Sequence, residues 1–190
     1  VLDNGESLSC DLVIIGKGVR PALDFIPRDR IHVDLGIVVD DFLQSSVPGI
    51  YAAGDTAEAI DIARQVRWVN AIWPEAAAQG RVAGMNMAGR PVRYPGSLSR
   101  NVMRVYDLDV LTVGYANPGA DEGFRQVSTG GEHQGFYRRL VFRDDILVGA
   151  VLINQIEQGG VLRALVENRV PVRVPETSLM APGFNFSKLI

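Results

Sequence analysis

The chain contains few cysteine and histidine residues, and these residues do not cluster in the sequence. Cys10 is the single cysteine among 190 residues, which excludes an internal disulfide and a Cys-x-x-Cys redox pair within this sequence. The two histidines, His32 and His133, have no cysteine or cluster of carboxylates beside them, so we predict no metal site. We expect Cys10 to pack as a small apolar side chain beside a buried strand.

Long hydrophobic runs and blocks of basic residues are also missing. The longest apolar runs, residues 12–15 and 147–153, are much shorter than the roughly 20 residues that span a bilayer, so we predict a soluble, cytoplasmic protein without a membrane partner. The net charge is -3 and no patch of lysine and arginine is visible, which argues against nucleic acid as a partner. With 47% hydrophobic residues, the composition suits one large globular domain or two small ones.

Short apolar segments in the first half predict strands. Residues 12–15 form a run flanked by glycine, as is typical of a buried strand. Residues 31–34 and 36–40 are two short strand-like stretches with charged ends, which we interpret as connections rather than a helix. Residues 50–53 predict a short buried strand that ends at a glycine and Asp55, and we expect this strand to carry Asp55 to the carboxyl edge of a sheet.

The pattern changes from strand to helix after Trp73. Small residues from 74 to 88 predict a helix, with Pro74 in its first turn and Gly89 at its end. Prolines and a glycine cluster in residues 90–96, where we place the boundary between two structural units.

The second half reads as an antiparallel sheet backed by one main helix. Its five predicted strands are residues 102–106, 110–113, 124–127, 136–142 and 146–154. A hairpin tip is expected at residues 143–145, and the helix should follow Gly159 and Gly160. The tail from Pro171 carries prolines and is expected to be an irregular docking arm.

Two places have the chemistry of a cofactor contact. At Gly54-Asp55, glycine permits a close backbone approach and the aspartate can accept a hydrogen bond from a ligand hydroxyl; a plain turn capped by the aspartate is the alternative. At Trp73-Pro74-Glu75-Ala76, the amino terminus of a helix favours an electron-rich group such as the N1 and C2 carbonyl edge of a reduced flavin. The alternatives there are an ordinary surface helix and a Trp73 side chain that packs in the core.

Several segments together resemble a known family. They are residues 11–21 (DLVIIGKGVRP), 36–40 (GIVVD), 49–55 (GIYAAGD) and 73–89 (WPEAAAQGRVAGMNMAG). Their order resembles the FAD-dependent pyridine nucleotide-disulfide oxidoreductases, in the branch of NADH oxidases, rubredoxin and ferredoxin reductases and nitrite reductase flavoproteins.

The resemblance implies a role for six residues at an FAD site. The Gly54-Asp55 turn would contact the ribityl-phosphate region, where Asp55 would receive a hydroxyl. The amides of Glu75 and Ala76 would face the pyrimidine edge of the flavin and Trp73 would border the ring. Gly18 would lie near the cofactor through its backbone, although Gly16-Lys17 replaces the usual alanine. No catalytic residue is assigned in this chain.

The family's Gly-x-Gly-x-x-Gly turns are missing from the sequence. We therefore expect a carboxy-terminal fragment with a partial FAD site that alone binds FAD weakly or not at all. The residues that distinguish NADH from NADPH, and much of the surface that meets an acceptor, would lie upstream.

The expected fold class is α/β plus α+β. Residues 1–90 would supply the end of an NAD(P)-binding domain and the second half of a Rossmann-like FAD-binding domain, and residues 97–190 an antiparallel-sheet interface domain. The parent enzyme would pass electrons from NAD(P)H through flavin to an acceptor, as a homodimer joined through residues 97–190, with a possible redox partner protein. The alternative is a catalytically silent dimerisation or partner-docking module.

Overall fold

A computed structural model describes residues 2–120, 122–181 and 183–184. The described residues form three helices and eight strands. The helices are α1 (Trp73–Met87), α2 (Gly159–Glu167) and α3 (Glu176–Leu179). The strands are β1 (Ile37–Val38), β2 (Ala57–Ile60), β3 (Arg67–Trp68), β4 (Arg100–Val105), β5 (Leu108–Gly114), β6 (Arg125–Gly131), β7 (Phe136–Arg143) and β8 (Ile146–Ile153). No helix in this described part is long and apolar enough to cross a membrane.

We call residues 2–90 the first unit, and they contain a small mixed sheet and α1. β1 pairs with β2 in parallel, and β2 pairs with β3 in the antiparallel sense. The apolar core of this unit includes Val39, Leu43 and Ala57, and Ala83 of α1 packs into it. Small residues on α1, such as Ala76, allow the helix to lie close to the turn at Gly54–Thr56.

We call the residues from 97 onward the second unit, and their strands form a five-stranded antiparallel sheet in the order β4-β5-β8-β7-β6. α2 packs on β5 and β8, and its buried Leu162 and Val166 join the core with Leu140 and Leu152 of the sheet. Burial of each such side chain stabilises the fold by about 1.5–3 kcal/mol. The predicted fold class, a partial α/β portion followed by an antiparallel sheet with one main helix, is confirmed.

Two glycines lie opposite each other in β5 and β8. Gly114 and Gly149 are register partners. A Cβ on Gly149 would fall well inside van der Waals distance of the Tyr115 carbonyl oxygen, and one on Gly114 would meet the Val148 carbonyl oxygen. Because both obstacles are backbone atoms, only glycine fits at this crossing.

Most elements of the second unit follow the sequence prediction. All five predicted strands are present with small shifts of their ends, and the hairpin tip falls at Asp144-Asp145. α2 begins at Gly159 as predicted. The tail is not wholly irregular, because it contains the short helix α3; positions 182 and 185–190 lie outside the described residues.

Two strand predictions in the first unit are wrong. Residues 12–15 form no strand, and their side chains are 72–84% exposed, because no segment among the described residues pairs with them. Cys10 is likewise exposed rather than packed. Residues 50–53 make only an isolated bridge, between Tyr51 and Gln44, and the regular strand β2 begins after the glycine-aspartate turn instead of ending at it.

The two units are joined by residues distant in sequence. The guanidinium group of Arg64 lies 4.8 Å from the ring centre of Trp68 and 4.4 Å from that of Tyr115. Tyr115 meets Phe124 edge to face at 5.3 Å, and Arg143 stacks on Phe124 at 4.3 Å. We call these five side chains the cation-π stack; it runs from β3 to the β7–β8 hairpin.

Backbone contacts reinforce this junction. Ser97 forms an isolated bridge with Asp61, because the Ser97 N–H donates to the Ile60 carbonyl and the Ser97 carbonyl accepts from the Ile62 N–H. Arg169, just after α2, donates to the Ile62 carbonyl at 3.1 Å. Residues 90–96 have no regular secondary structure, and the domain boundary placed there stays a prediction.

Candidate functional site

The Gly54-Asp55 turn lies against the first turn of α1. Residues Gly54–Thr56 form a single 3-10 turn, and Gly54 has φ +77, a conformation that favours glycine. A Cβ at Gly54 would lie 3.5 Å from the Cβ of Ala76. The structure therefore brings Gly54 and Ala76 together, with the Asp55 side chain exposed beside them.

A buried glutamine fixes this turn. The N–H of Gly54 donates to Oε1 of Gln79 at 2.7 Å. Nε2 of Gln79 donates in turn to the hydroxyl of Tyr94 at 3.4 Å, and Gln79 is only 1% exposed. Both ends of the amide are satisfied, so its orientation is defined by the network.

Glu75 continues the network into the second unit. Its carboxylate accepts a hydrogen bond from the Tyr94 hydroxyl and an ion-paired hydrogen bond of 2.5 Å from Nη1 of Arg100 in β4. Burial, and then the hydrogen bond to the Glu75 carboxylate, raise the pKa of Tyr94 far above its ordinary value. Gly54, Gln79, Tyr94, Glu75 and Arg100 thus form one connected set, which we call the polar network.

The start of α1 differs from the sequence expectation in one respect. The amides of Glu75 and Ala76 both donate to the Ile72 carbonyl oxygen at 3.1 Å, so each already has an acceptor within the chain. Pro74 has no N–H to offer. A cofactor at this helix end would interact with its dipole, or share these amides, rather than meet unpaired donors.

Trp73 does not pack in the core. It is 87% exposed and borders a groove of about 610 Å³ between the start of α1 and the second unit. The groove is lined by Ile72, Trp73, Pro74, Arg100, Asn101, Val102, Leu111, Thr112, Val113, Gly159, Gly160 and Arg163. We call it the Trp73 groove.

Gly18 lies apart from these contacts. It has φ +72 and an exposed backbone, with open space where a Cβ would be. The next two residues, Val19 and Arg20, line a second groove of about 620 Å³ together with Trp68 and Ala71. That groove reaches the segment leading into α1, but the cofactor contact at Gly18 stays a prediction.

The sequence prediction missed the three residues that connect the site: Gln79, Tyr94 and Arg100. A signal was present on α1, where the buried residues are Glu75, Gln79 and Ala83 at a spacing of four. Two polar side chains on the buried face of a helix indicate internal hydrogen-bond partners. Their partners lie 15 and 25 residues away from the helix positions and have no local sequence signature.

The geometry is compatible with a flavin nucleotide on one side. A glycine turn fixed by a side-chain hydrogen bond, an exposed carboxylate and a helix end lie next to one another, and the small side chain of Ala76 allows the turn and the helix to approach closely. In the part of the chain that the structure describes, no three His, Cys, Asp or Glu side chains converge as metal ligands.

Comparison with known proteins identifies related sequences along nearly the whole chain. Residues 1–80 match the family described as pyridine nucleotide-disulphide oxidoreductase, and residues 100–170 match the rubredoxin NAD+ reductase C-terminal domain. The NADH-dependent phenylglyoxylate dehydrogenase subunit epsilon of Aromatoleum evansii is 34% identical and aligns with 88% of this chain and 40% of its own length. The nitrite reductase [NAD(P)H] of Bacillus subtilis is 28% identical over 94% of this chain and 22% of its own length.

Solved structures of reductases have a similar fold. The covalent putidaredoxin reductase–putidaredoxin complex matches with a TM-score of 0.81 at 22% identity, covering 98% of this chain and 43% of the matched chain. The chain thus spans 40% and 22% of the length of the two relatives in sequence and 43% of the matched chain of known structure.

Proposed function

Because the chain belongs to the pyridine nucleotide-disulphide oxidoreductase family, we propose that it forms one side of an FAD site in an NAD(P)H-dependent oxidoreductase that delivers electrons to an acceptor. The observation that carries the proposal is the contact between the Gly54 turn and the first turn of α1. Gly54 contacts Ala76 there, Asp55 follows Gly54 in the turn, and Glu75 and Trp73 belong to the same helical turn as Ala76.

Each residue has a defined task toward the cofactor. Asp55 accepts a hydrogen bond from a hydroxyl of the ribityl-phosphate region, because its carboxylate is exposed next to the turn. The first turn of α1 presents its positive dipole end, through Glu75 and Ala76, to the pyrimidine edge of the flavin. Trp73 borders the ring, and Gly18 contributes backbone contact.

Bound FAD would supply the redox chemistry, by taking a hydride from NAD(P)H and releasing electrons to the acceptor. The chain's own contribution is to hold and orient the cofactor and to place a helix dipole beside it. A redox partner protein is one possible acceptor, since a relative in fold is a reductase joined to putidaredoxin. The cytoplasmic location stays a prediction.

The proposal is tested by flavin binding in the full-length protein. We expect the purified protein to show flavin absorbance, and Asp55→Ala to weaken FAD binding by about tenfold, the effect of one lost charge-assisted hydrogen bond. Asp145→Ala, which changes an exposed aspartate at a hairpin tip, is the matched control and should bind as the unchanged protein does. A full-length protein that binds no FAD, or equal affinity of both variants, would refute the proposal.

A second candidate, a catalytically silent dimerisation or docking module, is favoured by the β4–β5 hairpin. This hairpin exposes Val102 by 64%, Met103 by 46% and Tyr106 by 96%. Exposed apolar side chains on an edge strand are typical of a surface that pairs with another chain. A chain that dimerises through this hairpin, loses the dimer on Met103→Glu and binds no FAD would support the module over the oxidoreductase.

A further inference from the structure

The first turn of α1 carries a negative side chain at the end where the helix dipole is positive. Glu75 belongs to this turn, and its side chain is only 5% exposed. A carboxylate stabilises the amino terminus of a helix, but it also offsets the positive potential that this end presents to a neighbouring group. The proposed function sets that potential beside the electron-rich edge of a reduced flavin. The charge on Glu75 therefore opposes the effect of the dipole on the cofactor.

Arg100 of the second unit compensates this charge. Its Nη1 lies 2.5 Å from Oε1 of Glu75, and the arginine side chain is itself only 22% exposed. The same nitrogen donates to the Leu98 carbonyl oxygen at 3.4 Å, so the guanidinium is also anchored in its own unit. Because both charged groups are largely removed from water, salt and solvent screen them less than they screen a surface pair.

The other contacts around Glu75 bring no second positive charge. Among the described residues, its other side-chain donor is the Tyr94 hydroxyl, which is neutral. Gln79, one turn further along α1, bonds to Tyr94 and to the N–H of Gly54 and not to the carboxylate. Removal of the Arg100 guanidinium would therefore leave the charge of Glu75 uncompensated.

We infer that Arg100 raises the reduction potential of the bound flavin by neutralising Glu75. Reduction adds negative charge to the flavin, and an uncompensated carboxylate in the facing helical turn disfavours that form. The inference rests on the proposed function, because it takes the first turn of α1 to face the flavin. Arg100 acts through Glu75 and is a positioning residue, not a catalytic one. The second unit thereby helps to set how readily the flavin of the first unit accepts electrons.

The test is the reduction potential of FAD bound to the full-length protein, measured against a reference dye at pH 8.5, well above the ordinary range of a carboxylate. Arg100→Gln leaves the carboxylate uncompensated and should lower the potential. Glu75→Gln leaves the guanidinium unopposed and should raise it. Each shift should equal at least about a threefold change in the ratio of the affinities for reduced and oxidised FAD, or about 14 mV for a two-electron couple.

Further variants separate the effect of charge from an effect on folding. Glu75→Gln combined with Arg100→Gln removes both charges and should return the potential close to that of the unchanged protein. Arg100→Lys keeps the charge and should retain most of the potential. Arg104→Gln is the matched control, since Arg104 is an arginine of β4 in an exposed pair with Asp109, and it should cause no shift. Circular dichroism checks that each variant is folded; if Arg100→Gln is not, the rise in Glu75→Gln and its reversal in the double variant decide the question.

Three results would overturn the inference while leaving the proposed function intact, because FAD is bound in each of them. They are shifts of the same sign in Glu75→Gln and Arg100→Gln, shifts smaller than the threefold equivalent in both, and an equal shift in Arg104→Gln. Shifts of the same sign would indicate a structural disturbance, which does not follow the sign of the charge that is lost. A full-length protein that binds no FAD would instead refute the proposed function and this inference with it.

Discussion

Replacement of Arg100 by glutamine should show how much the ion pair between β4 and the first turn of α1 contributes to the free energy of unfolding. Arg100→Gln removes the cation that lies 2.5 Å from the Glu75 carboxylate, whose side chain is only 5% exposed. Loss of one partner from a buried ion pair typically costs 3–5 kcal/mol because a buried charge is left uncompensated. The Tyr94 hydroxyl still donates to that carboxylate, so we expect the lower end of this range, about 3 kcal/mol.

The assay is urea unfolding of the full chain followed by circular dichroism. Glu75→Gln combined with Arg100→Gln should cost less free energy of unfolding than Arg100→Gln alone, because no charge then remains buried. Arg104→Gln, on the same strand but in an exposed pair at 3.7 Å, should cost less than about 1 kcal/mol. A loss of under 1 kcal/mol for Arg100→Gln, or a double variant as unstable as the sum of its parts, would refute the argument.

Three further predictions concern neighbouring features. Gln79→Ala should speed hydrogen exchange of the Gly54 amide, since it removes the 2.7 Å acceptor; unchanged exchange would show that the glutamine does not hold the turn. Gly149→Ala should lower the free energy of unfolding by about 1–3 kcal/mol, because the new Cβ would meet backbone atoms. Gly160→Ala, whose Cβ would face open space, should be nearly neutral. Equal effects of the two variants in urea melts would contradict this prediction. Because the pKa of Tyr94 is raised in the folded chain, the unfolded chain releases a proton above about pH 10 that the folded chain keeps. The free energy of unfolding should therefore fall as the pH rises through that region. Melts of Tyr94→Phe over a series of pH values should show a shallower fall.

Sequence patterns predicted the helices and strands that form through interactions between residues close in the sequence. Pro74 and the small residues after it indicated α1, and glycines marked the start of α2. In the second unit, runs of alternating or apolar residues between turns were enough to place all five strands, because each hairpin partner is close in sequence.

The wrong strand predictions and the missed side-chain contacts have the same cause, because both depend on interactions between residues far apart in the sequence. Residues 12–15 have strong strand propensity but find no neighbouring strand among the described residues, so propensity alone does not make them a strand. β2 forms because it pairs with β1, about twenty residues earlier, and not because of its own composition. The contacts of Gln79 with the Gly54 turn and with Tyr94 likewise depend on tertiary packing, which no local pattern records.

The cation-π stack limits how the two units can be recombined with those of related proteins. Arg64, anchored by Asp61 at 2.9 Å, belongs to the first unit, whereas Tyr115 and Phe124 belong to the second. A chimaera that took its second unit from a relative without an aromatic residue at the Tyr115 position would leave the Arg64 guanidinium without one of its two rings. Compatible partners for domain exchange should therefore be chosen by the pairing of these positions rather than by overall identity.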